Sequence, residues 1–230
     1  MNDQEFVSIG FIIIQSSPKK PFMHESVCNP VFTPTRCVCF LHPQNEALTW
    51  DDKNSEYLEN LNLNKDSLEE YRRQVDDLLT NERWGFDSVI SDIDSAVGFY
   101  KRWFSERDDV RLFEMAIPKE FCEDFQLTVS PPTDNSAPSG VWLAIKASKK
   151  PNFKNYIGFE VIGYEGWSTR HTSVCYETRE GFVKGLQITF NDLGLFNTLQ
   201  DAKAAAQMNN NAEGGSVGDV CWYPIRFAVM

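Results

Sequence analysis

Residues 67–79 read SLEEYRRQVDDLL and carry a clear helical signature. Ser67 is followed three residues later by Glu70, which is the spacing of a capping box at a helix start. Apolar side chains then recur at helical spacing, at Leu68, Tyr71, Val75, Leu78 and Leu79. The pattern predicts an amphipathic helix with one buried face and one charged face in water.

Residues 87–104 read DSVISDIDSAVGFYKRWF and predict a second helix. Asp87 is its expected N-cap, and a second apolar stripe follows at Ile90, Ile93, Val97, Tyr100 and Phe104. Residues 81–85 connect the two segments, and two helices with a short connection pack as a hairpin. We therefore expect a helical hairpin whose apolar stripes face the rest of the fold.

The segments outside this hairpin predict mostly strands. Residues 6–15 read FVSIGFIIIQ, and their Ile, Val and Phe content favours a buried central strand. Further strands are predicted over residues 36–41, 110–117, 125–129, 141–147, 156–164 and 220–229. Residues 141–147 and 156–164 are expected to form a β-hairpin, and Pro224 favours an edge strand or a bulge near the C-terminus.

The order of these elements predicts an α+β fold. A mostly antiparallel sheet would be covered on one side by helices, which are the acidic helical hairpin and further C-terminal helices. One of these begins at Asn197 and continues through Ala202, Ala205 and Ala206. Residues 130–140 contain three prolines and form the best candidate linker. They would divide the chain into regions 1–130 and 141–230, unless both belong to one continuous domain.

Composition places the chain among globular proteins and excludes several functions. It has 230 residues, 42% apolar and 24% charged, with a net charge of −11. Such an acidic chain is a poor ligand for nucleic acid or anionic membrane. Its six cysteines are too few for a secreted disulfide scaffold, and its N-terminus carries acids instead of an export signal. A cytoplasmic location is expected.

The negative charge is concentrated in one part of the chain. Residues 46–125 hold 21 acidic and 10 basic side chains, whereas the segments on either side are each balanced. The predicted helices leave five of these acids in water, at Glu69, Asp76, Asp77, Asp92 and Asp94. Trp84 and Trp103, at the helix ends, are candidate aromatic anchors for a partner. The alternatives are surface acids that aid solubility and tryptophans packed in the core.

Five residues of types that bind soft metals lie close together near the N-terminus, at His24, Cys28, Cys37, Cys39 and His42. Structural zinc sites usually begin with two cysteines separated by two to four residues, whereas one residue separates Cys37 from Cys39. On a strand this spacing places both thiols on one face, and two small buried hydrophobic residues would show the same spacing. Buried free cysteine is therefore favoured, and no cofactor is predicted.

Two further motifs carry weaker signals. His171 and Cys175 could serve as base and nucleophile of a cysteine hydrolase, although spacing alone does not establish the required contact, and no catalytic residue is assigned. Lys146, Lys149, Lys150 and Lys154 form a basic segment before the predicted strand 156–164. A solvated loop is its simplest interpretation, and docking on the acidic face of a second copy, as a homodimer, is the alternative.

The last third of the chain resembles small uncharacterised bacterial proteins, some of which are similar to immunity proteins of polymorphic toxin systems. The resemblance is carried by IGFEV at 157–161, Trp167-Ser168, Cys175, FNDLGLF at 190–196, and Ala202. Its Gly and Phe positions are structural, so it implies no catalytic residue. It implies a protein that binds and neutralises a toxin. The acidic segment suits a basic toxin, and a phage or mobile-element inhibitor that mimics nucleic-acid charge is the alternative.

Overall fold

The computed structural model describes residues 5–15, 64–83, 85, 89–108, 110–133, 138–166, 169–172, 184–191, 193–211 and 220–230. The strands are β1 (Phe6–Gln15), β2 (Val110–Pro118), β3 (Asn155–Glu165), β4 (Thr169–Thr172) and β5 (Val220–Val229). The helices are α1 (Lys65–Thr80), α2 (Ile93–Trp103), α3 (Cys122–Thr128), α4 (Gly140–Ala147) and α5 (Leu199–Asn210), and a 3-10 turn, Lys119–Phe121, precedes α3. The predicted strand over residues 36–41 lies outside the described residues.

The fold is α+β, as predicted. The described strands form one sheet in the order β1-β2-β5-β3-β4, and every neighbouring pair is antiparallel. Strand β2 precedes residues 130–140 and pairs with β5, which follows them, so the sheet is built from both sides of the predicted linker. Helices cover both faces, so the expected cover on one side only is wrong. Side chains at Phe113, Met115 and Ile117 pack with α4, whereas Leu112 faces the hairpin and Ala116 faces α5.

Residues 6–15 form the predicted strand, but its predicted central position is wrong. Among the described strands, β1 lies at an end of the sheet order and pairs with β2 alone. Its outer edge is covered in part by Ile90, whose N–H and C=O both bond to Phe11 at 2.8 Å. The close approach needs glycine at position 10, where φ is +111° and a Cβ would lie 2.4 Å from Val89 Cγ1. The apolar composition of β1 correctly predicted burial, but part of this burial comes from the segment at Ile90 and not from a second neighbouring strand.

The predicted edge position of residues 220–229 is also wrong, because β5 is the middle strand of the sheet. Pro224 is nevertheless at a local edge. The β2 ladder ends at the pair Ala116 and Arg226, so Pro224 faces only Val161 of β3. Beyond the end of β2, the Asn210 side chain bonds to both the N–H and the C=O of Trp222. Proline therefore occupies a place where a backbone donor is not needed.

Two predicted strands are wrong because they are helices. Residues 125–129 lie largely in α3, and residues 141–147 form most of α4. The Ser139 side chain caps α4 by accepting a hydrogen bond from the Trp142 N–H. Short apolar runs do not distinguish a buried helix from a buried strand. The predicted β-hairpin is therefore wrong too, since its first strand does not exist.

The helix starts also differ from those predicted. Helix α1 is capped by Asn64, whose side chain accepts from the Ser67 N–H at 2.9 Å, so Ser67 is inside the helix. Helix α2 is capped by Asp92, and the predicted cap, Asp87, lies outside the described residues. Helix α5 is capped by Thr198 and not by Asn197. Helices α2 and α5 are thus capped closer to their first buried residues, Ala96 and Ala202, than predicted, whereas α1 begins three residues earlier than predicted.

Candidate protein-interaction surface

Helices α1 and α2 form the predicted hairpin and run antiparallel. At one end, Glu70 of α1 pairs with Arg102 of α2. Next to this pair, the Tyr71 ring packs on Phe99 with ring centroids 5.3 Å apart. At the other end, the Ser91 N–H donates to the Arg83 carbonyl at 2.8 Å. The end of α1 and the start of α2 therefore lie side by side.

The exposed acids collect at this end of the hairpin. Asp76 and Asp77 are exposed in the last turn of α1, and Glu82 is exposed just after it. Across the connection, Asp92 is half-buried and Asp94 is exposed at the start of α2. We call these five residues the acidic end. Arg83 is exposed at the same end and neutralises part of their charge.

Helix stability explains only two of the five residues of the acidic end. Asp92 and Asp94 lie at a helix N-terminus, where negative charge is favourable. Asp76 and Asp77 lie at a helix C-terminus, where each carboxylate costs about 0.3–1 kcal/mol. The last turn of α1, which the structure describes completely, contains no basic residue. The Asn81 side chain donates to Asp77 Oδ1 at 2.9 Å and offsets part of this cost.

The remaining predicted contact residues lie elsewhere. Glu69 is exposed, but it is almost two turns before the acidic end. Trp103 lies at the opposite end of α2, half-buried, and its Nε1–H donates to Gln74 Oε1 at 2.7 Å. Its ring packs on Tyr71 across the hairpin, which is the core contact considered as its alternative. Trp84 lies outside the described residues.

A lysine-bearing loop borders the same surface. It comprises residues 148–154, with Lys149, Lys150 and Lys154, and it follows Lys146 in the last turn of α4; all four lysines are exposed. The loop crosses the sheet face that carries the hairpin, where Phe153 packs on Phe11 with ring centroids 5.5 Å apart. The lysines were visible in the sequence, but their position beside the hairpin was not, because it depends on long-range contacts.

A buried carboxylate holds this loop in place. Glu114 on β2 is 1% exposed, and its carboxylate accepts from the backbone N–H groups of Asn152 and Phe153 at 2.7 and 2.6 Å. It also accepts from the Ser8 hydroxyl at 2.8 Å and from the Asn152 side chain at 3.0 Å. Sequence reasoning missed Glu114, although a lone acid in the apolar strand VRLFEMAIP is the signal that marks it.

The segment FNDLGLF has a structural role at its described residues. The Asn191 side chain accepts from the N–H groups of Leu193 and Leu195 at 3.0 and 2.9 Å, and it donates to the Ile157 carbonyl at 2.7 Å. Gly158 has a φ of +147°, and a Cβ there would lie 2.7 Å from the Leu195 Cβ. These residues pack a loop against β3.

Within its described residues, the structure brings together no side chains of the candidate catalytic pair or of the candidate metal site. His171 lies on β4 opposite Gly163, and Cys175 lies outside the described residues. The metal candidates His24, Cys28, Cys37, Cys39 and His42 also lie outside them, and the described part of the chain contains no group of three metal-binding side chains. Cys122 is half-buried, and its burial raises the pKa of the thiol, which Lys119 lowers by a smaller amount. This thiol is therefore not an activated nucleophile.

Comparisons with known protein families, with curated proteins and with solved structures gave no match to this chain. The resemblance to immunity proteins therefore remains a prediction from residues 157–202. None of the described helices is long and apolar enough to cross a membrane.

Proposed function

We propose that this protein is a non-enzymatic inhibitor that binds a basic protein partner, a bacterial toxin, through the acidic end of its helical hairpin. One observation carries the proposal. Asp76 and Asp77 are exposed at the C-terminus of α1, where they oppose the helix dipole. Residues that cost stability in the free protein are typical of a surface that gains free energy on binding.

The charge of the chain supports a cationic partner. The formal charge is −11, and five of the described acids share the acidic end. A concentrated field of one sign accelerates encounter with a partner of opposite sign and repels partners of the same sign. Rapid and selective capture is what an inhibitor of a toxic protein requires.

The charge-mimicry alternative is less well supported. A mimic of nucleic acid needs an uninterrupted row of negative charges comparable to a phosphate backbone. On the described surface, Arg73 is exposed between Glu69 and Asp77 along α1, and Arg83 is exposed within the acidic end. The lysine-bearing loop borders the same surface. This mixed pattern is more typical of a protein partner with a defined contact surface.

The test is co-expression with the toxin encoded beside the gene for this chain. The unchanged protein should restore growth and co-purify with the toxin. Asp76→Lys with Asp77→Lys should abolish both effects while circular dichroism remains unchanged. Glu123→Lys, an exposed acid on α3, is the matched control and should retain both. Absence of rescue and complex with the unchanged protein, or full rescue by the double variant, would reject the proposal.

A further inference from the structure

Glu114 is an unusual residue for the middle of a buried strand. It is 1% exposed, and four donors converge on its carboxylate. A carboxylate removed from water carries a large desolvation cost that hydrogen bonds only offset, and an apolar residue of similar size would often stabilise as well or better. Stability alone therefore does not account for an acid at this position.

Glu114 holds the lysine-bearing loop in place. Three of its four hydrogen bonds come from Asn152 and Phe153, two backbone groups and one side chain. The Ser8 N–H holds the same loop by donating to the Lys149 carbonyl at 2.9 Å. Binding surfaces gain affinity when their backbone is already ordered before contact. The ordered loop presents Lys149 and Lys150, both exposed, at fixed positions.

The loop lies beside the acidic end. Lys149 and Asn152 line one small cavity together with Ser91 and Ile93, the residues on either side of Asp92. Lys149 therefore lies close to the start of α2, where Asp92 and Asp94 carry negative charge, and Lys150 is the next residue of the loop. Such neighbouring patches of opposite sign are complementary to a partner in which a basic patch borders an acidic one.

We infer that the lysine-bearing loop, held by Glu114, is the second half of the interaction surface, and that the partner carries an acidic group beside its basic patch. This inference rests on the proposed function. The acidic end attracts any cationic protein, and the lysines repel one that is uniformly cationic. Lys149 and Lys150 are therefore specificity-determining residues, and Glu114 is a positioning residue.

The experiment compares two dye-labelled peptides by fluorescence anisotropy. One peptide is a block of lysines, and the other is the same block followed by glutamates. The unchanged protein should bind the mixed peptide about threefold more tightly, the effect of one or two exposed ion pairs. This preference is opposite to that expected from net charge, since the lysine peptide is the more cationic.

Variants test whether the lysine-bearing loop causes the preference for the mixed peptide. Lys149→Glu with Lys150→Glu should reverse it, whereas Lys101→Glu, at the far end of α2, should leave it unchanged. Glu114→Gln should weaken it and accelerate hydrogen exchange at Asn152 and Phe153, with the exposed Glu123→Gln as control. Equal binding of both peptides, or preference for the lysine peptide, would overturn the inference alone. Failure of both peptides to bind would overturn the proposed function as well.

Discussion

Glu70 on α1 and Arg102 on α2 form an ion pair in which Arg102 Nη2 donates to both carboxylate oxygens, at 3.0 and 3.1 Å. The pair shows which ends of the two helices meet. Glu70 is near the start of α1 and Arg102 is near the end of α2, so the acids at the other end of each helix become neighbours. The acidic end is thus a consequence of how the hairpin closes.

The ion pair itself should contribute little to stability. The Arg102 side chain is 56% exposed, and exposed pairs are worth about 0.2–1 kcal/mol. Arg102→Ala should therefore lower the free energy of unfolding by less than about 1 kcal/mol. Tyr71→Ala should lower it by about 3–5 kcal/mol, because this buried ring packs on Phe99, Trp103 and Phe104. Urea denaturation measures both, and equal losses would contradict the packing described.

Placing positive charge at the end of α1 should stabilise the free protein. Thr80 is exposed in the last turn, four residues after Asp76. Thr80→Lys adds a favourable dipole interaction and an ion pair, and should raise the free energy of unfolding by about 0.5–1.5 kcal/mol. Asp94→Lys, at the start of α2, should lower it by about 0.3–1 kcal/mol. Shifts of the same sign in thermal denaturation would show that the dipole argument is wrong.

Two glycines should respond in opposite directions to alanine. Gly10→Ala introduces a Cβ that would lie 2.4 Å from Val89 Cγ1 and 3.0 Å from the Ile90 carbonyl oxygen, at a φ of +111°. We expect a loss of about 1–3 kcal/mol or more. Gly98 lies inside α2, where a Cβ would meet no described atom within 4 Å. Gly98→Ala should stabilise by about 0.5–1 kcal/mol, and calorimetry compares the two variants directly.

Alkaline pH should destabilise the fold through tyrosine ionisation. Burial raises the pKa of Tyr156 to about 12, partly opposed by Arg226, and burial also raises the pKa of Tyr71 and Tyr223. The unfolded chain therefore releases these protons first, near pH 10. Stability should be complete below about pH 10 and fall progressively above it. Ultraviolet titration of tyrosine should show delayed ionisation in Tyr156, and Tyr156→Phe should remove this contribution.

The helices of the hairpin could be predicted well because helical periodicity is visible within a short stretch of sequence. Apolar stripes such as Tyr71 and Val75 report which side of a helix is buried, wherever the helix packs. The order of the strands in the sheet could not be predicted in the same way, because it depends on contacts between residues far apart in the sequence. The edge position of β1 follows from Ile90 covering Phe11, and the central position of β5 follows from where the β2 ladder ends. Neither contact leaves a periodic signal in the sequence.

Only the helical part of the candidate surface could be predicted from the sequence, because it too depends on helical periodicity. Asp76, Asp77 and Asp94 follow from helix periodicity, and the structure places them together with Asp92. The lysine-bearing loop was recognised as a basic segment, but residues 141–147 were expected to be a strand. The loop was therefore expected at the tip of a β-hairpin. The Glu114 hydrogen bonds, the bond from the Ser8 N–H to the Lys149 carbonyl and the packing of Phe153 on Phe11 hold it across the sheet face.

The most direct measurement is the change in backbone amide chemical shifts when the lysine-block peptide is added to the protein. We predict that the largest shifts lie at Asp76, Asp77, Glu82, Asp92 and Asp94, that they decrease with added salt, and that Glu123 on α3 does not respond. Shifts spread evenly over the exposed acids of the chain, or concentrated away from the end of the hairpin, would contradict the proposal that this surface receives a cationic partner.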